Sequence, residues 1–356
     1  MTDLSGMCLR LESTLRDTMV CINQNAKGIA LIVDGSGRLL YTITDGDLRR
    51  AVLHRLPLDM TVADWARHRA ERGNRDPVTA PVDTPPSDLL TLMKAESLRH
   101  IPLINDRGQL VGLALLSELI CESEVPPLAV VMAGGQGNRL RPLTAELPKP
   151  MLTIGERPLI EDIVTQLREA GIRRVSITTH YKSEAINRHF GDGQKFGVEI
   201  SYVNEDRPLG TAGALALMEP WKSPLLVVNG DILTRVSFRS MLAFHEEHDA
   251  MMTVGVRQYE WDVPYGVVET DEVEIRRLSE KPTLRVLINA GVYVLEPQVH
   301  SYLVSGRRFD MTDLIGLLLK EKQRVISFPI SEYWLDVGRR GDYEKAQADW
   351  EQMGLR

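Results

Sequence analysis

Residues 128–144 read LAVVMAGGQGNRLRPLT, and this stretch decides the fold of the larger part of the chain. Its first five residues, Leu128–Met132, form an unbroken apolar run, which is typical of a strand buried inside a parallel sheet. Gly134, Gly135 and Gly137 follow, and positions without side chains let backbone amides approach an anion at the carboxyl end of the strand. The stretch therefore predicts an α/β domain with an anion-binding loop at one edge of its sheet.

Two well-known phosphate-binding patterns do not fit this loop. A P-loop requires the step Gly-Lys followed by Ser or Thr, and the chain contains no Gly-Lys step. A dinucleotide-binding fingerprint requires a third glycine, but Leu140 occupies that place after Gly135 and Gly137. Arg139 and Lys149, the latter inside a PKPM segment, instead add fixed positive charge after the glycines.

The sequence after the loop alternates between helix and strand patterns. Apolar residues at helical spacing predict a helix over 158–170, with a glycine directly after it. Strands are predicted over 175–179, 198–202 and 225–228. This alternation predicts an α/β domain whose sheet is mainly parallel and carries helices on both faces.

The first third of the chain contains one unit twice. The order strand, glycine turn, strand, helix begins near residue 29 and again near residue 101, with a polar, arginine-rich stretch over 66–76 and a helical pattern over 87–95 between the copies. Each copy is too small to fold alone, so the two are expected to pack as one small α+β domain. The charged and proline-rich segment 122–127 predicts a boundary, which gives domains over 1–124 and 128–356.

Composition excludes several classes of protein. Apolar residues make up 43% and charged residues 26%, which is too apolar for a disordered chain. The formal net charge of −7 provides no overall cationic field to hold a nucleic acid. Apolar runs fall far short of the roughly 20 residues that span a bilayer, and the N-terminal residues lack the apolar core of a secretory signal. We expect a cytoplasmic protein with neither a nucleic acid nor a membrane as its partner.

Cysteines and histidines form no metal-site pattern. Cys8, Cys21 and Cys121 make neither a CxxC pair nor an even disulfide framework, which fits a reducing compartment. His245 and His248 stand close together without further ligands, and we expect both to be solvated helix residues.

The pattern GGxGxRLxPLT followed by PKPM is similar to the signature of sugar-1-phosphate nucleotidyltransferases, among them the mannose-1-phosphate guanylyltransferases. The resemblance runs from Leu128 to about Trp350. It implies a Rossmann-like domain in which the three glycines of the loop cradle a nucleoside triphosphate. It also implies that Arg139 stabilises charge at the reacting phosphates and that Lys149 neutralises the attacking and transferred phosphates.

Two carboxylates complete the implied phosphate site. Asp231 follows the strand predicted over 225–228 after Asn229 and Gly230, a position at the end of a buried strand that is typical of a Mg²⁺ ligand bridging substrate phosphates. In the resembling family this residue binds the metal, and Asp336, in the segment YWLDVG, belongs to the same ion. The resemblance therefore implies Mg²⁺ as the cofactor.

The segment NEDRPLGTAG at 204–213 resembles the base-recognition loop of that family. There Gly210 and Thr211 run close to the nucleobase, and Glu205 lies within hydrogen-bonding reach. An ionised carboxylate accepts hydrogen bonds and donates none, so it suits the N1 and N2 donors of guanine better than the carbonyls of uracil. GTP is favoured on this ground, while UTP, dTTP and CTP stay open.

Three short segments resemble the sugar-phosphate half of the site. The resemblance implies that Lys281 holds the sugar phosphate as a point charge, that Glu280 accepts from sugar hydroxyls, and that Gly266 and Asn289 border the sugar ring. Taken singly, each segment is also an ordinary turn sequence.

The doubled N-terminal unit resembles a CBS-domain pair. The nucleotide-contact signature of that family is a Thr or Ser followed three residues later by Asp, which the first copy has as Thr44 and Asp47. The second copy has Leu115 and Glu118 there. The resemblance implies that an adenine nucleotide can be held only in the first copy, with Asp47 accepting from ribose hydroxyls. Alternatively, Thr44 only caps a helix and the domain serves dimerisation, which would make the protein a homo-oligomer.

The implied reaction joins a nucleoside triphosphate and a sugar 1-phosphate to give a nucleotide sugar and pyrophosphate. A CBS pair in front of such a domain resembles bacterial enzymes that activate amino sugars for surface glycans, such as the glucosamine-1-phosphate guanylyltransferases of the legionaminic acid route. Glucosamine, mannose and heptose 1-phosphates stay open as substrates. The alternative from another class is a catalytically silent nucleotide or nucleotide-sugar sensor, against which the presence of every candidate charged residue argues.

Overall fold

The structure of the protein is a computed structural model, and it describes residues 4, 6–25, 27–70, 76–96, 98–119, 127–135 and 137–353. Cys121, Gln136 and the predicted boundary segment up to residue 126 lie outside the described residues. The chain divides into two compact units between residues 124 and 125.

The first unit contains the predicted repeat. In each copy a short first strand runs parallel to the second, and the second pairs antiparallel with the third. Both hairpins have a register irregularity at the same place, at Ile32/Val33 and at Leu103/Ile104. The elements are β1 (Cys8–Leu9), α1 (Leu15–Asn25), β2 (Ile29–Val33), β3 (Leu39–Thr44), α2 (Asp45–Leu53), α3 (Val62–Ala70), β4 (Ala80–Pro81), α4 (Pro86–Ala95), β5 (His100–Ile104), β6 (Leu110–Leu115) and α5 (Leu116–Leu119).

Helix α3 begins at Val62 and runs into residues 66–76, which the sequence shows only as polar and arginine-rich. Val62, Trp65 and Ala66 are buried in the core of the first unit at the spacing of one helix face. Aspartate, arginine and histidine around them hide this short apolar face in the sequence.

The second unit is an α/β domain. Its elements are β7 (Leu128–Met132), β8 (Thr153–Ile154), β9 (Arg157–Pro158), α6 (Leu159–Glu169), β10 (Arg174–Thr179), α7 (Ser183–Phe190), β11 (Glu199–Asn204), α8 (Gly210–Gly213), β12 (Leu225–Asn229), β13 (Ile232–Thr234), α9 (Phe238–Glu247), β14 (Met252–Asp262), β15 (Val267–Asp271), β16 (Glu274–Ser279), β17 (Thr283–Leu295), α10 (Met311–Lys320), β18 (Val325–Ile330), β19 (Trp334–Asp336) and α11 (Arg340–Met353).

A seven-stranded sheet in the order β11-β10-β7-β12-β17-β14-β18 forms the centre of this unit. Strands β11, β10, β7 and β12 are mutually parallel, and β17 pairs antiparallel with both β12 and β14. The chain moves outward from β7 through β10 to β11 and then returns to the other side of β7 as β12. The carboxyl ends of β7 and β12 are therefore a topological switch point, where open α/β sheets bind ligands.

Helices cover both faces of the sheet, as predicted. Ala129 and Val131 of β7 face a core that includes α6, α7 and α9, whereas Val130 faces a core that includes α8 and α10. Helix α6 is the predicted helix over 158–170, although Pro158 occupies the N-cap position and lies just before the helix.

His245 corrects one expectation, because it is buried. It lies on the inner face of α9 with Phe238 and Met241, and its Nδ1 and Nε2 lie 2.7 Å from Thr253 Oγ1 and 2.9 Å from Glu296 Oε1. The helical spacing that places apolar side chains inward also carries this histidine into the core, where two polar partners satisfy its ring.

Strands β14 and β17 extend beyond the sheet as a two-stranded ribbon. Their pairing runs from Gln258 against Leu287 to Asp262 against Thr283, past the last partners of β18 and β12, and it leads into the β15–β16 hairpin. We call residues 258–288 the arm. No helix in the described part of the chain is both long and apolar enough to cross a membrane.

Candidate active site

The glycine loop leaves β7 at the switch point and is held by a threonine. Thr144 is fully buried and donates from Oγ1 to the carbonyl oxygen of Gly137 over 2.9 Å. Gly137 has a φ of +64°, and a Cβ there would lie 2.9 Å from Thr144 Cγ2 and 3.1 Å from Lys149 Cβ. Only glycine fits this position without strain.

The other two glycines of the loop differ in their surroundings. A Cβ at Gly134 would lie 2.5 Å from Glu205 Oε1 and 3.6 Å from His180 Cβ, so the loop passes directly over the ends of β10 and β11. A Cβ at Gly135 would meet nothing within 4 Å. Gly135 therefore faces open space, where a ligand can approach its backbone.

A close backbone contact joins the ends of β7 and β12. Gly230 donates its N–H to the carbonyl oxygen of Met132 over 2.8 Å, and a Cβ at Gly230 would lie 2.8 Å from that oxygen. Asp231 follows at once, and Ile232 is paired with Asp336 in the β13–β19 ladder. This register places the two predicted metal ligands side by side, although they are far apart in sequence.

Lys149 ties the two carboxylates together. Its Nζ lies 2.6 Å from Asp231 Oδ2 and 3.7 Å from Asp336 Oδ1, and the residue is only 6% exposed. The resemblance assigns Lys149 to the phosphates and the aspartates to the metal. In the structure all three form one ionic cluster.

Burial raises the pKa of Asp336, and the neighbouring charge of Asp231 raises it further. Lys149 and Arg139 act in the opposite direction. Arg139 is exposed and lies in the 3₁₀ turn Asn138–Leu140, next to the glycine loop. The cluster thus contains two acids and is influenced by two bases, as expected of a site that handles phosphate and metal charge.

The donor set fits a hard divalent cation that arrives with phosphate. Among the described residues there is no group of three or more His, Cys, Asp or Glu that could enclose a metal. Mg²⁺ is usually held by one or two carboxylates together with substrate phosphates and water. Asn229 Oδ1, two residues before Asp231, is also buried without a hydrogen-bond partner, a polar atom that the sequence does not single out.

Glu205 anchors the segment 204–213, which the resemblance assigns to base recognition. Its Oε2 accepts from the N–H of Leu209 over 2.8 Å, while its carbonyl oxygen accepts from Nδ1 of His180 over 2.8 Å. Burial raises the pKa of Glu205, and the Leu209 N–H and the nearby His180 oppose this. Oε1 is directed to Gly134, so one carboxylate oxygen shapes the loop and the other borders the glycine loop.

Gly210 and Thr211 contact the start of α10. Gly210 has a φ of +82°, and a Cβ there would lie 2.5 Å from Asp310 Oδ1. The Thr211 N–H donates to Asp310 Oδ1 over 3.1 Å, and Thr211 Oγ1 accepts from the N–H of Met311 over 2.8 Å. The threonine hydroxyl thus caps a helix. Asp310, which holds this segment through Thr211, belongs to a capping box that the sequence DMTD already indicates.

Two of the residues predicted to contact the sugar phosphate lie close together in the arm. A Cβ at Gly266 would lie 3.1 Å from Glu280 Oε2, which brings both residues to the break between the ribbon and the β15–β16 hairpin. Lys281 is exposed and has a φ of +44°. Asn289 accepts from the N–H of Gly291 over 3.0 Å and hydrogen-bonds Tyr293, whose burial raises its pKa to about 12.

Thr44 and Asp47 form a capping box at the start of α2. The Thr44 hydroxyl donates to Asp47 Oδ2 over 2.8 Å, and Asp47 Oδ1 lies 3.0 Å from Arg50 Nη2 and 3.7 Å from Arg69 Nη1. Arg69 in turn stacks 5.0 Å above the Trp65 ring. Thr44 therefore caps α2, and both oxygens of Asp47 have partners within the chain.

Comparisons with known proteins match both parts of the chain. A family model described as nucleotidyl transferase matches residues 128–353, and a CBS domain model matches residues 73–123. The second of the two N-terminal copies is thus the one that the CBS model covers.

Curated relatives match about 60% of this chain. A mannose-1-phosphate guanylyltransferase of Mycobacterium tuberculosis is 33% identical over 62% of this chain and 64% of its own length. A mannose-1-phosphate guanyltransferase of Pichia angusta is 35% identical, over 60% and 61% respectively. A UTP–glucose-1-phosphate uridylyltransferase of Synechocystis is 31% identical, over 61% and 62%. The chain therefore spans less than two thirds of the length of these relatives.

Solved structures agree in fold. A chain from Bacillus anthracis described as a glucose-1-phosphate thymidylyltransferase has a TM-score of 0.52 and 26% identity, covering 62% of this chain and 94% of its own. HddC from Yersinia pseudotuberculosis has a TM-score of 0.50 and 24% identity, over 63% and 99%, and at that identity it supports the fold alone.

Proposed function

Because the chain belongs to the nucleotidyl transferase family, we propose that it transfers a nucleotidyl group from a nucleoside triphosphate to a sugar 1-phosphate, releasing pyrophosphate. The observation that carries the proposal is the cluster of Lys149, Asp231 and Asp336 beside the glycine loop. It joins an anion cradle to a pair of carboxylates at the topological switch point. A catalytically silent sensor would not need this combination.

The proposed chemistry is a direct displacement. An oxygen of the sugar phosphate forms a bond to the α-phosphorus, and the bond from that phosphorus to the bridging oxygen breaks as pyrophosphate leaves with the electron pair. The attacking phosphate is already ionised, so no general base is required. The chain supplies positioning and charge neutralisation, through the amides of the glycine loop and through Arg139 and Lys149.

We propose Mg²⁺ as the cofactor, with Asp231 and Asp336 as its protein ligands. When bound, it would supply charge neutralisation at the reacting phosphates. The two carboxylates and the lack of a complete protein cage in the described residues support a metal that is shared with substrate.

For the substrates we propose GTP and a hexose 1-phosphate. The carboxylate of Glu205 beside Gly134 favours a base with hydrogen-bond donors, as guanine has. Mannose 1-phosphate is suggested by the names of the guanylyltransferase relatives, and glucosamine 1-phosphate by the order of the domains. Gly266, Glu280, Lys281 and Asn289 are proposed to contact the sugar phosphate.

The test is pyrophosphate release across four nucleoside triphosphates and three sugar 1-phosphates, of glucosamine, mannose and glucose, with Mg²⁺. Release that requires both substrates supports the proposal and identifies the pair. Asp231→Asn should lower the rate about 100-fold or more while the protein stays folded by circular dichroism. Full activity of that variant, or no release in any combination from folded protein, would contradict the proposal.

We also propose that the first unit binds an adenine nucleotide near Asp47 and that the protein is a homo-oligomer. Arg50 and Arg69 beside Asp47 support the nucleotide site, because arginine side chains suit phosphate.

The arm supports the homo-oligomer. One of its faces carries Tyr259, Trp261, Leu284 and Val286, which are 40% to 61% exposed. We propose that a second copy of the chain covers this face, because adjacent exposed apolar side chains are typical of a surface between protein molecules. A cytoplasmic location stays an expectation.

A further inference from the structure

The ammonium of Lys149 lies against both carboxylates that would hold the metal. It contacts Asp231 Oδ2 at 2.6 Å and lies 3.7 Å from Asp336 Oδ1. The lysine side chain is 8% exposed, whereas the side chains of Asp231 and Asp336 are 33% and 50% exposed. The carboxylates can therefore be reached from solvent, but on their inner side they already face a cation of the chain.

The Cβ of Lys149, where the side chain leaves the backbone, lies beside the glycine loop. It lies 3.1 Å from the place where a Cβ on Gly137 would stand, and Pro148 and Pro150 restrict the backbone on both sides. A lysine carries a compact charge on a flexible four-carbon stem. From one fixed backbone position the ammonium can thus serve either the carboxylate pair or a phosphate bound in the loop.

Charge decides which of these partners the ammonium takes. Without ligand, two carboxylates near each other repel, and Lys149 reduces that repulsion. A divalent cation that arrives alone must share the carboxylates with an ammonium, which repels it. A triphosphate offers the ammonium new anionic partners and so makes room for the metal.

We propose that Lys149 is the resident counter-ion of the metal site and that it keeps a divalent cation from binding until a triphosphate draws the ammonium away. Metal and nucleotide then bind with positive coupling, and by linkage each raises the affinity of the other. The inference rests on the proposed function, because it concerns the same site. It adds an order of events: a metal bound without nucleotide is the disfavoured state.

The test measures Mn²⁺ binding to the full chain without nucleotide. The electron paramagnetic resonance signal of free Mn²⁺ reports how much of the ion stays unbound. Lys149→Met removes the charge and keeps the length of the side chain, so it should bind Mn²⁺ about tenfold tighter or more than the wild type. Lys149→Arg keeps the charge and should bind as weakly as the wild type. Asp231→Asn added to Lys149→Met should abolish the gain.

Lys195→Met is the matched control for net charge. Lys195 is exposed and precedes the amino end of β11, whereas the site lies at the carboxyl ends of the parallel strands. It should leave Mn²⁺ binding unchanged. Circular dichroism checks that each variant is folded, and Lys149→Gln provides a second neutral variant.

Two results would overturn the inference. One is a folded Lys149→Met or Lys149→Gln protein that binds Mn²⁺ no tighter than the wild type. The other needs no lysine variant: micromolar Mn²⁺ binding by the wild type alone that Asp231→Asn removes. A gain in Mn²⁺ affinity without pyrophosphate release from any substrate pair would uphold the counter-ion and reject the proposed reaction, so the two failures can be told apart.

Discussion

Gly137 meets two demands that no other residue can meet together. Its φ of +64° is strained for residues with a Cβ, and that Cβ would press on Thr144. Gly137→Ala should lower the free energy of unfolding by about 1–3 kcal/mol. Urea denaturation measures this.

Gly135→Ala in the same loop is the control, because a Cβ there meets nothing within 4 Å. Its free energy of unfolding should stay within about 0.5 kcal/mol of the wild type. Equal losses in the two variants would show that the close contact at Gly137 is not what requires glycine.

Glu205 offers a test through pH. Burial raises its pKa, so the folded state favours the protonated acid more than the unfolded state does. The contribution of Glu205 to stability therefore falls as pH rises through the acid range, whereas a neutral glutamine contributes no such change. The free energy of unfolding of Glu205→Gln, minus that of the wild type, should be larger at about pH 7 than at about pH 4.

Glu199→Gln, at the exposed start of the strand β11 that ends just before Glu205, controls for the loss of one charge and should show a smaller pH-dependent difference. A difference in stability that stays constant with pH would contradict the burial of the carboxylate.

The side-chain amide of Glu205→Gln also donates hydrogen bonds, so the preference of this variant for GTP over UTP should be about tenfold lower than that of the wild type.

At the scale of elements, the positions of some strands can be predicted from the sequence. These are strands that are buried on both faces and whose buried residues form an unbroken apolar run. β7 and β12 are such strands, and both were found within one residue of the predicted ends. α3 was not predicted, because its apolar face consists of only three residues among charged neighbours. The arm was not predicted either, since its apolar side chains face outward and pairing between distant segments defines it.

A charge placed on the exposed apolar face of the arm should change the oligomeric state of the protein. Trp261 is 61% exposed and lies opposite Leu284 on this face, so Trp261→Glu places a charge where a second copy is proposed to pack. The variant should shift the protein towards monomer in sedimentation velocity at concentrations where the wild type is oligomeric.

Gln258→Glu adds the same charge beside Glu260 on the opposite face, where Glu260 pairs with Arg285 at 2.9 Å, and it should leave assembly unchanged. A wild type that is monomeric throughout, or a Trp261→Glu protein that remains oligomeric, would contradict this use of the arm.

At the scale of the whole molecule, the first unit is proposed to bind an adenine nucleotide. Isothermal titration of AMP into the full chain should show binding that Asp47→Asn weakens about tenfold or more, because Asp47 is the proposed partner of the ribose hydroxyls. Asp64→Asn is the control, since Asp64 likewise pairs with the threonine three residues before it but is proposed to touch no ligand. Equal AMP affinity in the two variants would contradict the site.

Some contacts of the candidate active site can be predicted from the sequence and others cannot. The glycine loop and Asp231 each come within two residues of the end of a buried strand, so their position at the sheet edge could be inferred locally. The contact of Lys149 with Asp231 and Asp336 depends on the β13–β19 register, which brings together residues that are distant in the chain. The role of Thr211 as a helix cap likewise depends on α10. Such contacts need the tertiary structure.

The layout of the arm bears on how such enzymes can diversify and be re-engineered. The residues proposed for the sugar phosphate fall within one contiguous stretch, 266–289, whereas those proposed for the nucleotide and metal are spread from 134 to 336. Gly266 and Glu280 meet where the ribbon breaks, outside the seven-stranded sheet. A single segment exchange could therefore transplant sugar preference between homologues as a module, while the nucleotide half would have to evolve residue by residue.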